Sequence, residues 1–368
     1  IKRLDATRPT TGGQNKGQLG RDGKANPKNA AQVLDVVGIN YQASDYDKIR
    51  AAYPDQPMLS TEDTSQIMTR GEYTTDRSRN TVASYDDVFR GWDKFSSARN
   101  AWAAIVRQPS FAGGFFWTGF DYRGEPTPYG WPSCSSFFGA LDLCGFPKTE
   151  FYVRQALWVK DRPVLALVPH WNWPGNEGQP IKVMALANCD SVELFLNGKS
   201  LGENHVDPFE MATWEVPYAP GKLEAIGKTS GKKASTFAVE TTGEPVALRL
   251  VPDRSTLGGD GCDAIPVTVE ALDHQGRPVP TANLPVNFEV GGPGAIIGLG
   301  NGDPNCHEAE KGNERSLFNG LAQVILQSER GGSGKLVLRA KVDGLQSAET
   351  TINVQTVPLP PAVAAVPE

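Results

Sequence analysis

The stretch of this chain best equipped for chemistry is Pro57-Met58-Leu59-Ser60-Thr61-Glu62-Asp63-Thr64-Ser65, an apolar run that ends on carboxylates and breaks at once into small polar residues. If the run is a strand of a parallel barrel, Glu62 stands at its C-terminal end, where barrel enzymes place their reacting groups. A carboxylate there can attack the anomeric carbon of a sugar. The common form of that chemistry needs a second carboxyl group held protonated, about 5 to 5.5 Å away when configuration is retained. A glutamate at a strand end is also an ordinary solvated residue, so its neighbours decide the reading. Tyr41 closes the preceding apolar run and can hold the Glu62 rotamer by a hydrogen bond, or serve as a core tyrosine with a satisfied hydroxyl. Trp117 closes the following run and offers a flat apolar face to a pyranose, or packs. Asp121 and Tyr122, just beyond, bind sugar hydroxyls or cap the loop, and Asn40 is counted with the substrate-binding groups.

Placing these groups together requires parallel strands with helices between them. Residues 33–41 are apolar on both faces, which predicts a buried parallel strand. A helix over 45–53 and the Glu62 strand complete βαβ spacing. Tyr85, Val88, Phe89, Trp92, Phe95, Trp102, Ile105 and Val106 follow helical periodicity and predict one helix, ended by Pro109. Residues 113–120 read as the next strand and 151–159 as a last helix. Between them, 121–148 form a Gly-, Pro- and aromatic-rich loop long enough to carry function. Past residue 162 the periodicity changes to short alternating strands at 181–187, 192–199, 213–218, 222–226 and 235–240, with Asn197-Gly198 as a hairpin signal. Thr242-Gly243-Glu244-Pro245 reads as a linker. A second sandwich is predicted from strands at 247–251, 265–272, 284–290, 321–327, 335–340 and 350–354, followed by a Pro- and Ala-rich tail.

The 368 residues carry a net charge of −6 with no basic block, which argues against a nucleic-acid or anionic-membrane partner and fits a neutral substrate. No run of roughly 18 apolar residues is present to span a membrane. The five cysteines make no CxxC pair, so neither zinc nor another metal or cofactor is expected. Cys134 with Cys144 and Cys262 with Cys306 could pair in an oxidising compartment, leaving Cys189 over; buried free thiols are the equal alternative. Asn301-Gly302-Asp303-Pro304-Asn305 has the alternating oxygens of a calcium loop. It lacks the glycine at the sixth position and the glutamate at the twelfth, where Gly312 stands, so it reads as a turn. His170 beside Trp171 and Trp173 suggests a sugar-binding surface or, preferably, an exposed inter-domain contact. The opening Ile-Lys-Arg gives the expectation of a cleaved or truncated product.

In this order and spacing, 35–42, 57–65, 113–122 continuing through Gly124-Glu125-Pro126-Thr127-Pro128-Tyr129, and 131–139 through Asp142 to Gly145-Phe146-Pro147-Lys148 resemble the second half of a glycoside hydrolase family 2 barrel, most like bacterial β-galactosidases. Residues 188–202 resemble the small sandwich that follows it, and the last module, with 298–304, resembles the family's immunoglobulin-like domain. The resemblance covers nearly the whole chain. It implies an α/β plus all-β fold: the C-terminal half of a TIM (β/α)8 barrel at 1–160, a small β-sandwich at 161–243, an immunoglobulin-like sandwich at 246–357 and a tail at 358–368. It also implies that Glu62 is the nucleophile of a retaining exo-acting β-galactosidase, with Tyr41 its partner and Trp117 in the sugar subsite. Asp121 and Tyr122 fall in the matching strand-to-loop segment. β-Glucuronidase, β-mannosidase or hexosaminidase activity, and a non-catalytic carbohydrate-binding or adhesion module, stand as alternatives.

The family's acid/base is a glutamate directly after an asparagine on an earlier strand, and no Asn-Glu pair precedes Glu62 here. The pairs at 176–177 and 313–314 lie in the sandwiches. The expected partners are therefore the N-terminal half of the same enzyme, joined or as a separate chain, and a β-galactoside oligosaccharide or glycoconjugate. Half a parallel barrel exposes strand edges and should not be stable alone. The modular tail and the cysteines give the expectation of a periplasmic or secreted location.

Overall fold

The computed structural model describes residues 2–85 and 97–361. Its first unit is a parallel sheet of β1 (Val37–Asn40), β2 (Met58–Thr64) and β3 (Phe111–Trp117), in that spatial order. Helices α1 (Tyr46–Ala52) and α2 (Ala98–Val106) lie between the strands in sequence, and α3 (Thr149–Trp158) follows the loop after β3. Val37, Ile39 and Met58 from the sheet, Tyr46, Ile49 and Tyr53 from the α1 segment, and Ile105 from α2 form one buried core. Pairing sets Asn40 opposite Glu62 and Thr64 opposite Trp117, so every strand end that carries a candidate group lies at one end of the sheet.

Two elements differ from the sequence-based expectation. The first strand starts at Val37, not at residue 33: Val33 terminates a 3-10 turn with α-region backbone (φ −119°, ψ −3°) and is 83% exposed. Residues 10–14 run beside β1 instead, with Val36 N–H donating to Thr10 O (3.1 Å) and Asn40 N–H to Gln14 O (3.0 Å). Gly38 permits this, since a Cβ there would sit 2.3 Å from Gly12 O. The expected single helix from Tyr85 is likewise not continuous. α2 opens at a true N-cap, Ser97, whose backbone is extended and whose side-chain oxygen accepts the Asn100 N–H. Val88, Phe89, Trp92 and Phe95 lie outside the described residues.

The second unit comprises β4 (Leu165–Val168), β5 (Pro180–Ala187), β6 (Ser191–Leu196), β7 (Lys199–His205), β8 (Ala212–Pro217), β9 (Lys222–Thr229) and β10 (Lys232–Glu240). They form two sheets, β4-β5-β8 and β10-β9-β6-β7, around a shared core that includes Trp171, Val183, Ala185, Val192, Leu194 and Leu223. Asn197 (φ 53°) and Gly198 (φ 80°) both take left-handed backbone in the β6–β7 hairpin, as a two-residue primed turn requires. β5 is buried on both faces: Val183, Ala185 and Ala187 point into the shared core, while Met184 and Leu186 pack with Val153, Ala156 and Leu157 of α3.

The third unit has β11 (Ala247–Pro252), β12 (Thr256–Gly258), β13 (Ala264–Leu272), β14 (Pro285–Gly291), β15 (Gly294–Gly300), β16 (Glu314–Ser316), β17 (Leu321–Ser328), β18 (Gly334–Lys341) and β19 (Ala348–Gln355). These make sheets β11-β13-β17-β15 and β12-β19-β18-β14-β16 over a Val-, Ile- and Leu-rich core. Burying each such side chain contributes roughly 1.5–3 kcal/mol. Half-exposed ion pairs such as Arg339–Glu349 and Lys341–Glu289 are screened by solvent and contribute little, so the core holds this unit together.

The third unit is fastened to the first through Arg70. Its guanidinium is paired with the buried Asp142 at 2.6 Å and donates to the carbonyls of Asn301 and Phe318 at 2.8 Å each. Residues 301–305 form the turn read from sequence, with Asn301 Oδ1 accepting from Asp303 N–H and Asp303 Oδ1 from Asn305 N–H. Gly302 (φ 76°) lies so close to Asp142 that a Cβ would fall 1.8 Å from Asp142 Oδ2.

Candidate active site

Strand alternation separates the two carboxylates at the end of β2. Asp63 is buried, accepting from the Ser60 and Thr64 hydroxyls, and burial pushes its carboxyl above its ordinary value. Glu62, next to it, is partly exposed. The Tyr41 hydroxyl donates to Glu62 Oε1 at 2.5 Å and the Asn40 amide donates to Oε2 at 3.2 Å, so each carboxylate oxygen has a donor from the end of β1. Those donors are themselves held: Thr61 Oγ1 donates to Asn40 Oδ1 (2.6 Å), and Ser65 Oγ donates to the Tyr41 hydroxyl (2.9 Å). Burial, with the Glu62 hydrogen bond adding to it, raises the Tyr41 phenol well above its ordinary value, so the proton stays on Tyr41 and the donation runs toward Glu62.

The backbone makes this arrangement at some cost. Tyr41 (φ 58°), Thr64 (φ 78°) and Ser65 (φ 54°) all take left-handed conformations at this one end of the sheet. Such residues cost of order 1–3 kcal/mol each and persist where the surroundings over-determine them. Beneath Thr64, Arg154 of α3 donates to its hydroxyl (2.8 Å), pairs with Glu150 (2.7 Å) and lies 3.7 Å from the Phe116 ring centroid.

Trp117 sits on the neighbouring strand end, and its Nε1 donates to the Tyr122 hydroxyl at 3.1 Å. The two rings meet edge to face at 5.5 Å, and the Tyr122 hydroxyl donates onward to Glu125. Tyr122 and Trp117 are therefore one aromatic pair at the end of β3, where Trp117 registers with Thr64 of the Glu62 strand. Asp121 is placed differently. It is 5% exposed, paired with Lys148 at 2.6 Å and accepting the Gly139 N–H at 2.8 Å, and burial pushes its carboxyl up to about 6 against the pull of both partners. It ties the loop to itself. Asn40, grouped from sequence with the sugar-binding residues, has both ends of its amide engaged by Glu62 and Thr61.

Sequence reasoning missed Ser65, Glu125 and Arg154. Only Ser65, three residues past Glu62, carried a signal. His170 packs between Tyr73 of the first unit (ring centroids 5.4 Å apart) and Trp173 (5.2 Å), an inter-unit contact. Trp171 is fully buried in the second unit's core, which removes it from any sugar-binding surface. All five cysteines are free thiols. Among the described residues there is no cluster of three or more His, Cys, Asp or Glu that could hold a metal ion, and no helix long and apolar enough to cross a membrane.

Residues 248–351 match the family model for glycoside hydrolase family 2 C-terminal domain 5, and 178–235 match a domain of unknown function, DUF4982. Beta-galactosidase BoGH2A of Bacteroides ovatus is 40% identical over 371 residues, covering 96% of this chain and 42% of that protein. A beta-glucuronidase of Formosa agariphila is 28% identical over 321 residues, covering 82% of this chain and 31% of its own length. Among solved structures, a beta-glycosidase from Bacteroides vulgatus superposes with a TM-score of 0.84 at 29% identity, over 96% of this chain and 48% of that one. The chain belongs to glycoside hydrolase family 2, with the family's C-terminal domains. It spans less than half the length of the relatives it matches.

Proposed function

We propose that this chain carries the nucleophile side of a retaining, exo-acting β-galactosidase site. Glu62 attacks the anomeric carbon of a terminal β-galactoside, forming a covalent glycosyl-enzyme; a glutamate from a segment outside these 368 residues protonates the leaving oxygen and then activates the water that releases the sugar. The observation that carries the reading is the Glu62 carboxylate at a parallel strand end, gripped on both oxygens by Tyr41 and Asn40. The Trp117–Tyr122 pair supplies the apolar face against which the pyranose lies.

In this reading β1 to β3 are strands of the second half of a (β/α)8 barrel, and the two antiparallel units are its following sandwiches. The outer edge of β3 has no strand partner among the described residues, and Phe115 on that strand is 64% exposed. The remaining half of the barrel is the partner that fits there. The name of the Bacteroides ovatus relative supports galactose as the glycone; the Formosa agariphila relative supports glucuronic acid as the second reading. A periplasmic or secreted location belongs to the same proposal, and cell fractionation tests it.

The decisive experiment compares full-length enzyme and its Glu62→Gln variant on nitrophenyl β-galactoside and nitrophenyl β-glucuronide. Turnover of the galactoside by the parent and its abolition in a folded variant is the expected result. Unchanged turnover in the variant rules out Glu62 as the nucleophile, and preference for the glucuronide replaces the substrate.

A further inference from the structure

The five thiols fall into very different surroundings. Cys189 is buried in the core of the second unit, and Cys262 is exposed on the third unit in a cleft with Gly258 and Gln355. Cys144 is packed against Gly300, where a Cβ would lie 2.5 Å from its sulfur, and burial pushes its thiol up to about 12. That leaves it without thiolate at neutral pH. Neither sequence-expected pairing is assembled: Cys262 and Cys306 belong to different clefts, and Cys144 packs against Gly300 instead of lining the cleft that holds Cys134.

Cys134 and Cys306 are arranged otherwise. One comes from the loop after β3 and the other from the turn after β15, and both line a cleft of about 390 Å3 between the first and third units, with Arg123, Trp131, His307 and Glu310. The backbones are already joined there, since Cys134 N–H donates to Pro304 O at 2.9 Å. The Cys134 sulfur lies 3.3 Å from Pro304 O and 3.4 Å from the carbonyl oxygen of Cys306 itself. Each sulfur also accepts from a guanidinium at 2.9 Å, Cys134 from Arg123 and Cys306 from Arg315. Both residues are partly exposed, so a small reagent reaches them.

We propose that Cys134 and Cys306 are an inter-unit dithiol, the site at which a low-molecular-weight disulfide such as oxidised glutathione cross-links the active-site loop to the third unit. One cysteine thiolate attacks the small disulfide, forming a mixed disulfide and expelling one small thiol. The second cysteine attacks the protein sulfur of that mixed disulfide, forming the Cys134–Cys306 bond and expelling the second small thiol. The dithiol gives up two electrons and two protons, which leave on the two reduced thiols. The bond closes a loop of 172 residues and fixes the 121–148 segment that carries Tyr122. This inference does not depend on the glycosidase reading.

The test uses the reduced full-length protein exposed to oxidised glutathione, quenched with N-ethylmaleimide under denaturing conditions and mapped by peptide mass spectrometry. The expected product is a peptide pair joining Cys134 to Cys306, abolished by reductant, with Cys144 and Cys189 alkylated. Thermal unfolding of the oxidised protein should shift upward, and Cys134→Ser or Cys306→Ser should remove that shift. A Cys134–Cys144 link, glutathione left on each cysteine without a cross-link, or both cysteines recovered alkylated overturns the proposal. The mapping is done on the parent protein, so a serine variant that fails to fold leaves it decisive.

Discussion

Glu62 depends on donors that are one atom from being lost. Tyr41→Phe removes the 2.5 Å hydrogen bond while keeping the ring. A hydrogen bond to a charged group is worth about 1.5–3 kcal/mol, so kcat/KM of the full-length enzyme should fall roughly 10- to 100-fold with little change in thermal midpoint. A fall of less than threefold would mean that Tyr41 only packs. His170 makes a prediction of a different kind. Burial pulls its imidazole down from 6.5 to about 4, so the folded state prefers it neutral. The stability this contributes is fully present above pH 6.5 and is lost as pH falls through about 4. Denaturation midpoints should therefore decline across that window, and His170→Gln should flatten the decline; an unchanged slope would assign it to other groups.

At the scale of elements, α2 rests on its cap. Ser97→Ala removes the acceptor for the Asn100 N–H and should lower stability by about 1 kcal/mol, measured by urea denaturation. A neutral substitution would show that packing of Ile105 and Ala101 alone positions the helix. Such caps also show where the sequence was readable. The Asn197-Gly198 turn and the strand ends at Tyr41, Glu62 and Trp117 were legible because their signals are local: turn chemistry, and an apolar run that stops. β1 was misplaced by four residues because the exposure of Val33 is set by a 3-10 turn that leaves no periodic trace. The burial of β5 on both faces depends on α3, which arrives from another unit, and short strands such as β12 and β16 are defined by the neighbours they pair with. Within the site, Asn40 could be named from sequence but its task could not. Its amide reaches Glu62 only through a register shift between Ile39 and Asn40 that no residue pattern announces.

Over the whole molecule, the decisive connection is Arg70. Arg70→Met would leave the Asp142 carboxylate buried without its countercharge, which typically costs about 3–5 kcal/mol. Chemical denaturation of the full-length variant should show that loss and an earlier, separate transition for the third unit; a loss below about 1 kcal/mol would mean the two units are held by their other contacts. The same clamp carries a consequence in time. Arg70 and the carbonyl of Asn319 it donates to are 249 residues apart. At a ribosomal pace of roughly 5 to 20 residues per second, the guanidinium waits ~10 to 50 s for a partner that has not yet been made. Throughout that interval a nascent chain holds an open Arg70 clamp and an unfastened 121–148 loop, exposed to chaperones and proteases, and the third unit, made after them, is the one that closes both.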